Sequence, residues 1–193
     1  MNKQVYIASA ARTPVGSFQG ALSSLSAPEL GAHSIRASIE RASVQDSQID
    51  EVILGNVVSA GLKQAPARQA MRNAGLPDSC GATTVNKVCG SGMKAIMLAT
   101  DLIKADSGTT IIAGGMESMS NAPYLVQKAR SGLRMGHQQI QDALFLDGLE
   151  DAETGERVRR EVLTTARRWW WRDEAGAVML DIRYGNRRML HTK

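Results

Sequence analysis

Short apolar runs alternate with segments of helical pattern over the first 115 residues, and this alternation constrains the fold more than any other feature. The apolar runs are "VYIASA" (5–10), "EVILGNVV" (51–58), "TTVNKV" (83–88) and "TTIIAGG" (109–115). Runs of this length that end at turn-forming residues are typical of strands. The order β-α-β-α-β-α-β predicts a layered α/β domain with a largely parallel sheet. We expect residues 1–115 to form this core.

Three helices are predicted between these strands. The first begins after Ser26, an N-cap with Glu29 three residues later, the pattern of a capping box. The second covers residues 66–75 and ends at a glycine. The third runs from Gly90 to about Ala105 and is apolar around most of its circumference. A helix of that composition is expected to be buried, so we predict a buried central helix.

The regular pattern stops after residue 115. Residues 116–155 are rich in Gly, Ser and Met, which predicts a loop or small subdomain outside the sheet. Residues 1–155 hold 13 basic and 14 acidic residues, whereas residues 156–193 hold 10 and 5, with all three tryptophans at 169–171. We expect this basic tail to be disordered. It lacks the regular spacing of Arg and Trp that would favour a nucleic-acid or membrane surface.

Several classes of protein are disfavoured by the composition. The two cysteines, Cys80 and Cys89, form neither a zinc-binding pattern nor a disulfide framework. No run approaches the roughly 18 apolar residues of a membrane helix, and the N-terminus resembles no secretory or mitochondrial presequence. We therefore expect a cytoplasmic protein with no metal, no membrane and no nucleic-acid partner.

Cys89 is the candidate nucleophile. It lies at the end of a predicted strand and is followed by Gly90-Ser91-Gly92 and a helix, whose first amides and dipole favour a thiolate. A small buried core residue is the alternative.

Gly90-x-Gly92-x-x-Ala95 also fits a dinucleotide fingerprint, with Glu117 as its acidic residue. However, Glu117 follows Gly90 by 27 positions, where about 20 are expected.

Longer motifs carry a family resemblance over about residues 3–155. "NKVCGSGMKAI" and "AGGMESMSNAPY" resemble the N-terminal half of a thiolase of the acetyl-CoA acetyltransferase type. Further matching segments are "ARTPVGSFQGAL", "GNVVSAG", "PARQA" and "DGLEDA". The resemblance implies a thiolase-like N-terminal half, in which residues 116–155 begin the loop region that binds coenzyme A.

The resemblance also implies a reaction. Cys89 would accept an acyl group from acyl-CoA as a thioester, and a second acetyl-CoA would attack it to give acetoacetyl-CoA, or the reverse thiolysis would occur. Coenzyme A thioesters would be the substrates, with no further cofactor, and the intact family member would be a homo-oligomer. Gly90 and the first helical turn would stabilise the charge at Cys89. The residues expected to line or brace the pocket are Gly90, Gly92, Gly114, Gly115, Met116, Glu117 and Ser118.

The sequence also departs from the family pattern. Thiolases have a second half with a His in an Asn-x-His-Gly-Gly context and a second Cys in a Cys-x-Gly context, and neither segment is present in these 193 residues. The chain of a thiolase also returns from the loop region to add a last strand to the N-terminal sheet. We therefore expect a truncated chain that is poorly active or inactive alone. A non-catalytic fragment that associates with full-length subunits through the surface around "PARQA" is the alternative.

The tail departs from the family after about residue 155. Arg supplies nine of its ten basic residues, and the three consecutive tryptophans must be encoded by repeated TGG. In the other two frames such a run encodes glycine or valine. We hypothesise that residues 156–193 are encoded out of frame.

Overall fold

The structure, a computed structural model, describes residues 3–133 and 135–150, together with the backbone of three strands between residues 170 and 191. The chain divides into two compact units, Met1–Val158 and Arg159–Lys193. In the described part of the chain, no helix combines the length and apolar character needed to cross a membrane.

Helices and strands alternate in the first unit as the sequence predicts. They are α1 (Ala27–Ala42), β1 (Glu51–Gly55), α2 (Pro66–Asn73), β2 (Gly81–Val85), α3 (Ser91–Lys104) and β3 (Ile111–Gly115). Helix α1 begins directly after Ser26, whose amide and hydroxyl both donate to the Glu29 carboxylate at 2.7 Å. It ends at Ser43, which adopts a left-handed conformation with φ of 54°.

The three strands form a parallel sheet in the order β2-β1-β3. Side chains of the central strand alternate between its two faces, as the pleat requires. Val52 and Leu54 belong to the core formed with α1 and α2, whereas Ile53 contacts the core on the α3 side. Helices therefore cover both faces of the sheet, and the predicted layered α/β fold is confirmed.

The predicted strand at residues 5–10 is absent. This segment has no assigned strand, and the side chains of Tyr6 and Ile7 are 79% and 85% exposed. It is held by side-chain contacts instead, since the Ser9 hydroxyl donates to the Ser38 carbonyl at 2.7 Å. A strand needs a hydrogen-bonding neighbour, and none of the described strands pairs with this segment. The apolar pattern predicted the wrong local structure for that reason.

Helix α3 is buried on one face only. Ala95 and Ala99 pack against Ile53 of the central strand. Met93, Ile96 and Met97 are 69%, 49% and 53% exposed. The prediction of a helix buried all round is therefore wrong for the described residues, because the sheet covers one side of α3 and its opposite side is open.

The chain leaves the parallel sheet after β3. Strands β4 (Tyr124–Val126) and β5 (Ile140–Asp142) form a separate antiparallel pair, followed by a π-helical turn at Phe145–Leu149. This arrangement agrees with the loop-rich composition of the segment.

The second unit contains three strands, β6 (Trp170–Arg172), β7 (Val178–Tyr184) and β8 (Arg187–His191), paired antiparallel in that order. The expectation that residues 156–193 form a disordered tail stays a prediction. In "VMLDIRY", apolar and polar residues alternate from Leu180 onward, which favours a strand. The remainder of the predicted tail, including residues 156–169, lies outside the described residues.

Candidate active site

Cys89 is exposed and lies in the turn between β2 and α3, one residue before the N-cap Gly90. In a parallel sheet the carboxyl ends of the strands meet at one edge, and side chains in the loops that follow them point toward the same crevice. The N-terminus of a 14-residue helix lies directly behind Cys89 and contributes a positive potential. An exposed thiol in this position is well placed to attack an electrophile.

The turn that carries Cys89 is held in an uncommon conformation. Val88 has φ of 47°, in the left-handed region, which is a rare conformation for a β-branched residue. Its amide donates to the Asn86 side-chain oxygen at 3.0 Å. The hydroxyl of Ser91 accepts the Lys87 amide at 2.8 Å and donates to the Val88 carbonyl at 2.6 Å. Side chains on both sides of Cys89 therefore fix the backbone that precedes it.

Glycines allow the start of α3 to approach the strand ends. A Cβ on Gly55, the last residue of β1, would lie 2.6 Å from the Ser91 Cβ and 2.8 Å from the Gly92 amide nitrogen. A Cβ on Gly92 would lie 3.7 Å from the Gly114 carbonyl, and one on Gly115 would lie 3.6 Å from the Gly92 Cα. The structure thus brings Gly92, in the first turn of α3, next to the predicted Gly114 and Gly115, and Gly90 and Cys89 directly precede that turn in the sequence. The structure adds Gly55, which the sequence did not single out.

Two backbone amides next to Cys89 already have acceptors. The Gly90 amide donates to the Lys87 carbonyl at 3.0 Å, and the Ser91 amide donates to the Val88 carbonyl at 3.1 Å. Gly90 was predicted to help stabilise the charge at Cys89. In the structure its N–H closes the turn instead, so this role would require a change of hydrogen-bond partner.

Met116 and Ser118 support the site from a distance. Met116 is buried in the core between α1 and α2, and its sulfur would lie 2.8 Å from a Cβ on Gly31. The Ser118 hydroxyl donates to the Leu25 carbonyl at 2.9 Å. Both residues therefore anchor the segment after β3 to its surroundings, and neither brings its side chain to Cys89 through these contacts.

Glu117 connects the ends of two strands. Its carboxylate accepts hydrogen bonds from the Asn56 side chain at 2.7 Å and from the amides of Val57 and Val58 at 2.9 and 3.2 Å. Burial raises the pKa of this carboxyl, and the two backbone hydrogen bonds oppose that rise. Because Glu117 is already engaged in this way, the dinucleotide alternative, which needs it to bind a ribose, gains no support.

Asn56 is a further polar residue that the sequence did not predict. It is 2% exposed, and its side-chain oxygen has no partner among the described residues. The position of Asn56 inside the apolar run at residues 51–58 was the only signal that could have indicated it.

Cys80 is buried, whereas Cys89 is exposed. Cys80 is 2% exposed, and burial raises the pKa of its thiol, with Glu51 as a smaller contribution in the same direction. The prediction that Cys80 has no special role agrees with this packing. It provides an internal control for any reaction assigned to Cys89.

A cavity of about 270 Å³ lies between the loop at residues 12–18 and the segment from Glu117 to Ser120. Glu117 and Ser118 line it, whereas Cys89 does not. Among the described residues, no group of three or more His, Cys, Asp or Glu side chains is arranged to hold a metal ion.

The sequence of the chain matches the family model described as "Thiolase, N-terminal domain" over residues 5–169. The chain belongs to the thiolase family. The match continues past residue 155, where the resemblance in the motifs was expected to end, and reaches the first of the three tryptophans.

Curated relatives agree with this assignment. The chain is 51% identical over 155 residues to an acetyl-CoA acetyltransferase of Schizosaccharomyces pombe, and 53% identical over 154 residues to one of Escherichia coli. These alignments cover 80% and 79% of this chain and 39% of each relative. The chain thus spans about two fifths of the length of these proteins.

A solved structure shows the same fold. The Acat5 thiolase from Ascaris suum, in complex with coenzyme A, superimposes with a TM-score of 0.77 at 43% identity. The superposition covers 80% of this chain and 40% of that one.

Proposed function

We propose that Cys89 is the acyl acceptor of a thiolase-type acyl transfer, with acetyl-CoA as the donor. The Cys89 sulfur attacks the thioester carbonyl carbon, the bond from that carbon to the coenzyme A sulfur breaks, and the proton of the Cys89 thiol leaves with coenzyme A. A thioester on Cys89 and free coenzyme A are the products. The observation that carries this proposal is the exposed Cys89 in the turn before α3, a helix whose first turn packs against glycines at the strand ends, in a chain of the thiolase family.

The second half of the reaction would use this thioester. Attack by the α-carbon of a second acetyl-CoA gives acetoacetyl-CoA, and the reverse reaction is thiolysis. The family resemblance assigns the groups that activate the nucleophile and remove the α-proton to His and Cys segments that these 193 residues do not contain. We therefore propose that the chain forms the thioester slowly and does not by itself form the carbon–carbon bond, since catalytic residues act as a unit.

The proposed chemistry is tested by its reversibility. The purified chain is treated with radiolabelled acetyl-CoA, and the labelled protein is then exposed to an excess of unlabelled coenzyme A. A thioester on Cys89 would return the label to coenzyme A, whereas an acetyl amide on lysine would keep it. A Cys89→Ser variant that acquires as much coenzyme-A-reversible label as the parent chain contradicts the proposal.

The open face of α3 favours a second candidate function, association with a full-length thiolase subunit. Three large apolar side chains on this face are about half to two thirds exposed. The "PARQA" segment is a weaker docking surface, because Pro66, Ala67 and Ala70 are buried in the chain's own core. Co-purification with a full-length homologue, without thioester formation, would support this function over acyl transfer.

A further inference from the structure

The buried hydroxyl of Ser91 links the start of α3 to the turn that precedes Cys89. Among the described residues, Asn56 and Ser91 are the only polar or charged residues that are buried, at 2% and 5% exposed. Burying a hydroxyl is unfavourable unless its hydrogen-bonding capacity is used. Ser91 uses both kinds of bond on the turn that precedes Cys89, accepting from the Lys87 amide and donating to the Val88 carbonyl.

The conformation of Val88 explains what these bonds achieve. A β-branched residue with φ of 47° is disfavoured and returns to an extended or helical conformation unless its surroundings prevent it. The Ser91 hydroxyl binds the amide of Lys87, one residue before Val88, and the carbonyl of Val88 itself, so its two hydrogen bonds span this residue. It cannot easily move away, because its Cβ lies directly over the backbone of Gly55. Rotation at Val88 would redirect the next residue, which is Cys89.

We propose that Ser91 is a positioning residue for acyl transfer at Cys89, acting by holding Val88 in the left-handed conformation. This inference rests on the function proposed above. It assigns Ser91 no contact with the substrate and no proton transfer.

The first test compares two reactions of the same thiol. Acyl transfer from acetyl-CoA depends on the direction of the Cys89 sulfur, whereas alkylation by iodoacetamide depends on the exposure and ionisation of the thiol and much less on its direction. In the full chain, Ser91→Ala is expected to slow acylation of Cys89 about 10- to 100-fold, the typical effect of a misplacement of about 1 Å. Alkylation of Cys89 should change by less than about threefold, since the thiol stays exposed. Ser38→Ala, which removes a half-buried hydroxyl from α1, is the matched control and should alter neither rate.

The outcomes separate this inference from the function on which it rests. A parent chain whose Cys89 is never acylated contradicts the proposed function, and the inference falls with it. A parent chain that is acylated, together with a Ser91→Ala variant acylated at the same rate, contradicts the inference alone. Equal losses in acylation and alkylation also contradict it, because they indicate a general loss of structure.

A second variant tests whether Ser91 acts by holding Val88 in the left-handed conformation. It also provides a test if Ser91→Ala alone unfolds the chain. Asn adopts the left-handed region far more readily than Val. In a Val88→Asn background, Ser91→Ala should therefore lower the acylation rate by less than about threefold. A loss of about tenfold or more in that background would show that Ser91 acts in some other way and would overturn the inference.

Discussion

Gly55 and Ser91 lie so close together that a Cβ on Gly55 would stand 2.6 Å from the Ser91 Cβ. Gly55 ends the central strand of the sheet, and Ser91 begins the helix that follows Cys89. The contact therefore sets how near the turn carrying Cys89 can come to the strand ends. A side chain at position 55 would push the start of α3 away.

We predict that Gly55→Ala destabilises the chain by about 1–3 kcal/mol, because a methyl group has no space there and the backbone must shift. Gly114→Ala on the neighbouring strand is the matched control, since its Cβ would meet only Leu54, at 3.8 Å. Urea unfolding of the two variants measures the difference. Equal stabilities would mean that the Gly55–Ser91 approach is not tight in solution.

Asp50 anchors the start of β3. One carboxylate oxygen accepts the Thr109 amide at 2.7 Å, the Thr109 hydroxyl at 2.9 Å and the Thr110 amide at 3.0 Å. These hydrogen bonds, led by that from the Thr109 amide, hold the pKa of Asp50 below its ordinary value of 3.8. The stabilisation is therefore complete above that value and is lost as the pH falls through the lower pKa of the folded state.

Asp50→Asn should cost about 1 kcal/mol at pH 7. The cost should shrink as the pH falls below 3.8, where the unfolded parent binds a proton, and through the lower pKa at which the folded carboxyl does so too. Thermal unfolding across this pH range, compared with the exposed Asp101→Asn variant, provides the measurement. If the stability difference between Asp50→Asn and the parent chain stays constant down to pH 2, the charge on Asp50 is unimportant for stability.

Glu117 should show the opposite dependence on pH. Burial raises its pKa above the ordinary 4.5, so the folded state binds a proton that the unfolded state has released. Stability from this group is therefore complete below pH 4.5 and declines as the pH rises through the higher pKa of the folded state. Relative to Glu117→Gln, the parent chain should lose stability over this range. If plots of unfolding free energy against pH run parallel for the two proteins above pH 4.5, the raised pKa of Glu117 is contradicted.

The exposed face of α3 should limit the solubility of the chain, because an apolar patch of this kind favours self-association. Ile96→Glu is expected to raise the monomer fraction in size-exclusion chromatography with little loss of stability, since Ile96 is 49% exposed. The adjacent Ala95→Glu should instead destabilise by more than about 3 kcal/mol, because Ala95 is fully buried. If Ile96→Glu aggregates as readily as the parent chain, another surface drives the association.

Local patterns predicted much of the fold. Helices α1 to α3 and strands β1 to β3 occur within a few residues of their predicted positions. Apolar periodicity and end signals such as Ser26 and Gly75 are encoded locally, so the sequence could predict them. Local patterns do not encode which segments pair or pack with one another in the fold. The run at residues 5–10 has a strand pattern without a neighbouring strand, and α3 has an apolar surface that the sheet covers on one side only.

The site was predictable in part for a similar reason. Cys89 stands out because a strand end, a glycine pair and a helix surround it. Ser91 gave no signal, because a serine between two glycines is usual in an exposed loop. Its burial depends on Gly55, which precedes it by 36 positions in the sequence, and only the folded arrangement brings the two together.

In the proposed function, the fold presents Cys89, and not Cys80, as the acyl acceptor. The direct measurement is peptide mapping by mass spectrometry over a time course of treatment of the native chain with acetyl-CoA, continued until labelling reaches a plateau. We predict an acetyl group on the peptide that contains Cys89, with Cys80 unmodified until the protein is denatured. Acetylation of both cysteines to the same extent, or of neither while the fold is intact, would contradict the account.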